Sequence, residues 1–506
     1  MDCSLIARLL RSTTASQVVT GCVGLGLPFA WAVLIAGSSS LWAADSTTPL
    51  ADALQHRNHE LFTSLLEQQA DVNAPQSDGM TPLHWAVYHE SERAVKLLLS
   101  AGSDPNTNNR YGVPPLSLAC VSGNASIVEM LLAAGANANA RLNGGETVLM
   151  TAARTGKLAA VQALIARGAD VNARERRGQT ALMWAAADGH AEVVRALLRA
   201  GADPGDTLES GFTPLLFAAR NGQRAVVQTL IEFGCDVNAA VAVPKGNNKG
   251  LKSGSVPLLL AIENGHFDLA VDLLDAGADP NEHRRGGYTP LHAMTWVRKP
   301  LRGDGDPPPI GSGRTTSLEF VRLLVQRGAN VDARHGPHKQ ANALNKTGAT
   351  PFLMAAETGD LPLMRTLLEL GADPTLVNAD QCTPLLAAAG VGVLGNGDEP
   401  ASTTEEAVAA VGLLLELGAD VNAVDALGNT AMHGATYENR YQLIQFLAEH
   451  GAEVETWNRP NRRGWTPLDI AYGYRPGNFR PAPESIDVLK ALLIGAGVTP
   501  PAAPKR

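Results

Sequence analysis

The chain has 506 residues, 45% hydrophobic but only 5% aromatic, with 50 Gly, 31 Pro and a formal net charge of −9. That balance excludes a disordered chain, and five Cys exclude a disulfide scaffold. The acidic charge excludes the basic footprint of a nucleic-acid binder, and a core poor in aromatics has to be built from small aliphatic side chains.

Arg8 and Arg11 precede an apolar stretch over 18–37, followed by Ser38, Ser39 and Ser40 and the small pair Ala43-Ala44. A basic start, an apolar middle and a small-residue exit predict a secretory signal over 1–44, cleaved after Ala44, although Leu41 or Trp42 sits where a small residue is preferred. Two alternatives stand beside it. Retained, residues 18–37 are long enough to anchor the chain in a membrane. Val19-Thr20-Gly21-Cys22 also spells a lipobox, but its apolar run follows the Cys instead of preceding it. All three readings put residues 45–500 outside the cytoplasm, periplasmic or secreted.

Beyond residue 45 the sequence repeats itself. Thr48, Thr81, Pro114, Thr147, Thr180 and Thr213 lie 33 residues apart, and Gln69, Gly102, Gly135, Gly168, Gly201 and Gly234 keep the same step. Thr81 is a good helix N-cap, and Pro82 suits the first helical position, which needs no N–H. Leu83, Ala86 and Val87 then form one apolar face. A turn such as Asp188-Gly189-His190 leads to a second helix with the stripe Val193, Val194, Leu197 and Leu198, and Gly201 ends it in the left-handed region. Two such helices cannot bury their faces alone, so each layer depends on its neighbours. The phrases "GMTPLHWAVYHESERAVKLLLSAGSDPN" and "GQTALMWAAADGHAEVVRALLRAGADP" resemble the ankyrin repeat. The resemblance implies an all-α solenoid, each unit a helix–turn–helix followed by a hairpin-like loop. Twelve layers are expected, beginning near 47, 78, 111, 145, 177, 210, 255, 287, 347, 380, 427 and 463.

The first layer is worn, with Gln69 in place of the capping Gly. The period breaks in the second half, where insertions fall near 244–254, 297–314, 335–345, 391–404 and 473–483; residues 501–506 form a tail. Cys120, Cys235 and Cys382 belong to layers spaced too far apart to pair, and read as small core or turn residues.

No motif carries catalysis. Gly390-Val391-Gly392-Val393-Leu394-Gly395 follows a helix where a dinucleotide site needs a strand, and Gly246 to Ser253 has the wrong spacing for a phosphate loop. His335-Gly336-Pro337-His338 is read as a solvated loop, since no third metal ligand lies nearby. Arg302-Gly303-Asp304 is read as a chance tripeptide. His84, His292 and His433 occupy one repeat position, where the imidazole is expected to bond turn backbone.

A surface strip is the more promising feature. The residue before each Thr position is placed at a hairpin tip: Met80, Val113, Phe212, Tyr288, Trp465 and their equivalents vary while the framework does not. Arg110, Tyr111, Arg177 and Arg285 stand beside them. Tyr88, His89, Arg154, Arg220, Trp296 and Tyr437 end the first helices. Arg, Tyr and Trp dominate interface energetics, and the resemblance implies that this concave strip meets a partner. The expectation is a monomeric protein-binding module for an unidentified folded protein, with no catalytic centre, cofactor, metal or nucleic acid, touching a membrane only if residues 18–37 are retained. The alternative is a cell-envelope scaffold docking through its insertions.

Overall fold

A computed structural model of the chain describes residues 48–240, 254–283, 286–299, 309–310, 312–337, 344–392, 402–474 and 480–502. Within them every regular element is a helix, beside an isolated bridge between Arg141 and Thr147 and a bridge position at Tyr288. The helices come as short pairs, from Pro49–Gln55 with His59–Glu67 to Pro467–Ala471 with Pro483–Gly495. The predicted caps form: the Thr81 hydroxyl accepts from the His84 N–H, Pro82 opens the helix, and Gly201 sits at φ +89°. Each first helix packs on its own second helix and on the first helices of the adjacent layers. Pro115–Ser122, for example, touches Ala125–Ala133, Pro82–Tyr88 and Val148–Arg154. One continuous apolar core therefore runs from Leu50 to Leu493, with a satellite of Phe212, Leu216, Ala219 and Leu260 between layers 6 and 7. Cys120 and Cys382 are buried in it, and Cys235 is half-buried; all three are free thiols.

Three side-chain devices stitch the layers together. The first is a row of asparagines past the capping glycines. Asn139 Nδ2–H donates to the Gly168 carbonyl at 3.0 Å while Asn139 Oδ1 accepts from the Asp170 N–H at 2.7 Å. Asn73, Asn106, Asn172, Asn238, Asn281 and Asn422 make the same pair of bonds to the following layer. The row is interrupted where the repeat carries Gly205 and Thr375, and Asp332 keeps only the acceptor half, from the Asp373 N–H at 3.0 Å.

The second device is the Thr–His pair. His84 Nδ1 accepts from the Thr81 N–H at 3.2 Å, so the ring proton resides on Nε2, which donates to the Val113 carbonyl of the next layer at 3.0 Å. His292 reaches the Ala349 carbonyl at 3.1 Å and His433 the Trp465 carbonyl at 3.3 Å in the same way. Burial holds His292 down at about 3 and His433 at about 4. The expected structural role of these histidines holds, with one addition: the bond crosses between layers. Third, hairpins stack by backbone, the Arg110 N–H donating to the Asp78 carbonyl at 2.9 Å. A Cβ on Gly79 would lie 2.6 Å from Arg110 N, so that hairpin requires glycine.

The insertions are absorbed differently. After two of them the second helix starts with its own capping box, Thr316 with Glu319 and Thr403 with Glu406. The helix expected to stop before 297 continues to Arg298, with Val297 buried. The small extension after Gly451 folds into a helix, Val454–Trp457, whose Trp457 is buried. Gln69 keeps the left-handed conformation of the glycine it replaces, at φ +58°. The predicted leader, the phosphate-loop-like segment at 246–253, Arg302-Gly303-Asp304 and His338 lie outside the described residues. Among the described residues no helix is long and apolar enough to cross a membrane.

Candidate recognition surface

The inner face of the array is formed by first helices and hairpins, and the residue four past the Thr position points into it. In layers 2, 3, 5 and 6 that residue is half-buried: Trp85, Leu118, Trp184 and Phe217. At seven past the Thr, Tyr88 is 46% exposed, Arg154 half-buried and Arg220 exposed. From layer 9 onward the same two registers are closed. Met354, Ala387 and Ile470 are buried, and so are Glu357, Gly390 and Tyr437.

The closure has a local cause. Leu344, at the end of the 335–345 insertion, is buried against layer 10, where a Cβ on Gly392 would lie 2.7 Å from Leu344 Cα. Lys346 faces the buried Glu357, whose carboxyl burial pushes up. Gly434 and Gly390 let layers 10 and 11 meet backbone to backbone, a Gly434 Cβ falling 2.7 Å from Val391 N. Under them Arg440 pairs with Glu438 and donates to the Ser402 carbonyl and hydroxyl at 2.8 Å. Burial lifts Glu438 to about 7, and the Arg440 guanidinium acts in the opposite direction.

This geometry corrects several expectations. Tyr437 is not a surface residue: it is 5% exposed, and its hydroxyl accepts from Asn461 Nδ2 at 3.2 Å. Phe212 is buried as well, stacked on Phe217 at 4.7 Å with Arg220 over it. The positions preceding Thr are not hairpin tips. Met80, Val113, Ser255, Ala349, Cys382 and Asn429 are buried too, because this extended residue lies beneath the neighbouring layer. The tips lie two or three residues earlier, at Tyr111 and Arg177. His335 is no solvated loop residue: it is 6% exposed, edge-on to His292 at 5.4 Å and to Tyr288 at 5.9 Å. Trp296 and Tyr288 are half-buried and pack on the core, Trp465 is half-buried under Arg463, and Arg285 lies outside the described residues.

What remains accessible gathers in the first half. Tyr88 meets Trp85 edge-on at 5.7 Å, and His89 stacks on the same Trp85 at 5.8 Å. Arg110 lies 5.9 Å from the ring centre of Tyr111, and Arg154 lies 5.5 Å from that of Trp184. Between layers 3 and 5 these elements enclose a cleft of about 520 Å³ lined by Tyr111, Arg154, Arg176, Arg177 and Trp184, among others. Spacing alone found Tyr111, Arg154 and Arg177. It missed Trp184, which the regular "ALMWAA" phrase disguised as core. Among the described residues no group of three or more His, Cys, Asp or Glu is placed to hold a metal ion.

Stacked helix pairs with an open, aromatic- and arginine-bearing inner face define a repeat solenoid built for recognition. The family model for ankyrin repeats in three copies matches residues 32–109, 94–175, 149–241 and 401–500, and the single-repeat model matches 253–284 and 347–379. The chain belongs to the ankyrin repeat family, whose arrays are protein–protein interaction modules. It is 30% identical to a palmitoyltransferase of Homo sapiens over 175 residues, 30% of this chain and 26% of that protein. It is 38% identical over 84 residues to the B-cell lymphoma 3 protein homolog of Mus musculus, 17% of this chain and 16% of that protein. A putative ankyrin repeat protein of Rickettsia bellii matches at 27% over 142 residues, 28% of this chain and 35% of that protein. The chain thus spans about a quarter of the palmitoyltransferase and about a third or less of the other two.

Proposed function

We propose that this chain is an exported protein-binding solenoid that engages a folded partner through the inner face of layers 2 to 6, without a catalytic centre of its own. The observation that carries the reading is the contrast between halves. Trp85, Tyr88, Arg154, Trp184 and Arg220 stand on rigid first helices beside the exposed hairpin residue Tyr111, whereas the same first-helix registers from layer 9 onward are filled by the chain itself. A preformed face of this kind binds with little ordering entropy lost. Aromatic and arginine anchors are the side chains whose truncation most weakens interfaces. Export rests on residues 1–44, and N-terminal sequencing of the mature protein tests it.

The binding reading is tested by capture of partner from the extracytoplasmic fraction on the intact chain, on Tyr88→Ala/Tyr111→Ala, and on Glu416→Ala as an exposed second-helix control. Capture lost in the double variant alone supports the inner face. Capture equal in all three overturns it.

A further inference from the structure

Some arginines of this array are held in ion pairs. Arg195 meets Glu232 at 2.9 Å, Arg298 meets Asp360 at 2.8 Å, Arg322 meets Glu369 at 2.6 Å and Arg327 meets Asp275 at 2.7 Å. The arginines of the cleft between layers 3 and 5 are among those that are not. Among the described residues, the guanidiniums of Arg154, Arg176 and Arg177 form no ion pair, although all three line it. Glu146 and Glu175 line it as well. Glu175 turns one oxygen to its own hairpin, Oε1 accepting from the Arg177 N–H at 2.8 Å and the Gln179 N–H at 3.0 Å.

One donor of the cleft lacks an acceptor. In layer 2 the equivalent indole, Trp85, donates from Nε1 to Gln76 Oε1 at 2.7 Å. The repeat places Glu175 where Gln76 stands, and Trp184 Nε1–H is buried with no acceptor. A buried donor without a partner is destabilising. The Arg154 guanidinium lies over the face of the same indole ring, 5.5 Å from its centre.

From these contacts, and resting on the inner-face reading above, we infer that the cleft receives a carboxylate side chain from an acidic segment of the partner. The cleft thus offers a guanidinium fork and a single unused N–H donor within one lining. A planar two-oxygen anion matches both, one oxygen accepting from Trp184 Nε1 and both facing Arg154. Arg176 and Arg177 at the rim attract the flanking acidic residues, and the Tyr111 ring covers the aliphatic stem. The cleft of about 520 Å³ falls within the range of specific ligand pockets, about 300–1,000 Å³. The chain as a whole carries −9, so general electrostatics oppose an acidic ligand and any binding marks a local site.

The test is fluorescence anisotropy of the full chain with a fluorescein-labelled, end-capped glutamate decapeptide, beside glutamine and lysine decapeptides, at two salt concentrations. The glutamate peptide is expected to bind at least tenfold tighter than either comparator. Arg154→Gln/Arg177→Gln and Trp184→Phe are each expected to weaken it about tenfold, with Arg199→Gln on a second helix unchanged. Circular dichroism confirms that the variants fold. Equal binding of the glutamine or lysine peptide, or glutamate binding indifferent to the cleft variants, overturns the carboxylate site. Those results leave the inner-face reading standing, because that reading fails only if Tyr88→Ala/Tyr111→Ala leaves partner capture intact.

Discussion

Gly205 occupies the position at which neighbouring layers carry the clasping asparagine, and Gly205→Asn should restore the missing stitch. The local backbone is already suited to it. The Gly205 N–H donates to Asp203 Oδ1 at 2.8 Å, as the Asn172 N–H does to Asp170 Oδ1 at 3.0 Å. A Cβ on Gly205 meets nothing nearer than Asp203 Oδ1 at 3.3 Å, a contact that a few tenths of an ångström relieve, and the residue is not in the left-handed region. By analogy with Asn172, the new amide donates to the Gly234 carbonyl and accepts from the Asp236 N–H. Two exposed hydrogen bonds contribute about 0.5 kcal/mol each at the lower end of the usual range. Losing a glycine from the unfolded chain adds about 0.4–1 kcal/mol. The total is about 1.5–2 kcal/mol at the seam between layers 5 and 6. Because a layered array need not unfold in one step, the assay is residue-resolved hydrogen exchange combined with urea unfolding. Gly205→Ala serves as the comparator that gains only the backbone term. The Asn variant should exceed the Ala variant by about 1 kcal/mol and slow exchange at the Asp236 amide. Equal stability of the two, with Asp236 exchange unchanged, would refute the clasp reasoning.

Protonation should separate the buried histidines from ordinary ones. Unfolded His titrates near 6.5, whereas His292 and His433 hold to about 3 and about 4 in the fold, so the unfolded state takes up protons first. Their contribution is complete above pH 6.5 and declines as pH falls toward the folded values, by up to about 1.4 kcal/mol per pH unit for each residue. Nitrogen-15 NMR at pH 5 should show both rings neutral with the proton on Nε2; a charged ring at pH 5 contradicts the assignment. Gln69→Gly should raise the urea midpoint of the first layer, worth about 1 kcal/mol, by removing a left-handed side-chain residue; a lowered midpoint would show that the Gln side chain matters more than its backbone. Glu438→Gln leaves the buried Arg440 without its counter-charge and should cost about 2–4 kcal/mol in urea unfolding. Glu438→Gln/Arg440→Met should recover most of that loss, and a single variant as stable as the parent would show the pair to be inert.

The regular part of this fold was legible because its chemistry is local. A Thr–Pro start, an apolar stripe and a closing glycine each fix backbone within a few residues, and the helices, caps and turns followed from them. The inner face was legible only in the first half. Tyr88, Tyr111 and Arg154 keep the exposure that the regular spacing implies, whereas Tyr437 occupies the same register and is buried by neighbours that include Asn461. Leu344 closes over Gly392 across about fifty residues, a contact that no periodicity contains. The residues before Thr were misplaced for a related reason: variable side chains look like surface, yet these vary beneath the next layer because only their carbonyl is required. Trp184 shows the opposite failure. Its pattern matches core, and only the contrast with Trp85, which donates to Gln76, reveals an unused N–H.

The Thr–His bonds also make the third residue of the first helix a kind of punctuation. A neutral imidazole both accepts from its own N-cap and donates outward, so His84, His292 and His433 each leave their layer incomplete until the following one arrives. Asp469 holds the same place in layer 12 and accepts from the Thr466 N–H at 2.9 Å, but a carboxylate has no proton to send onward. An aspartate at 84 would keep the bond to its own N-cap but leave the Val113 carbonyl without its donor, beside a negative charge.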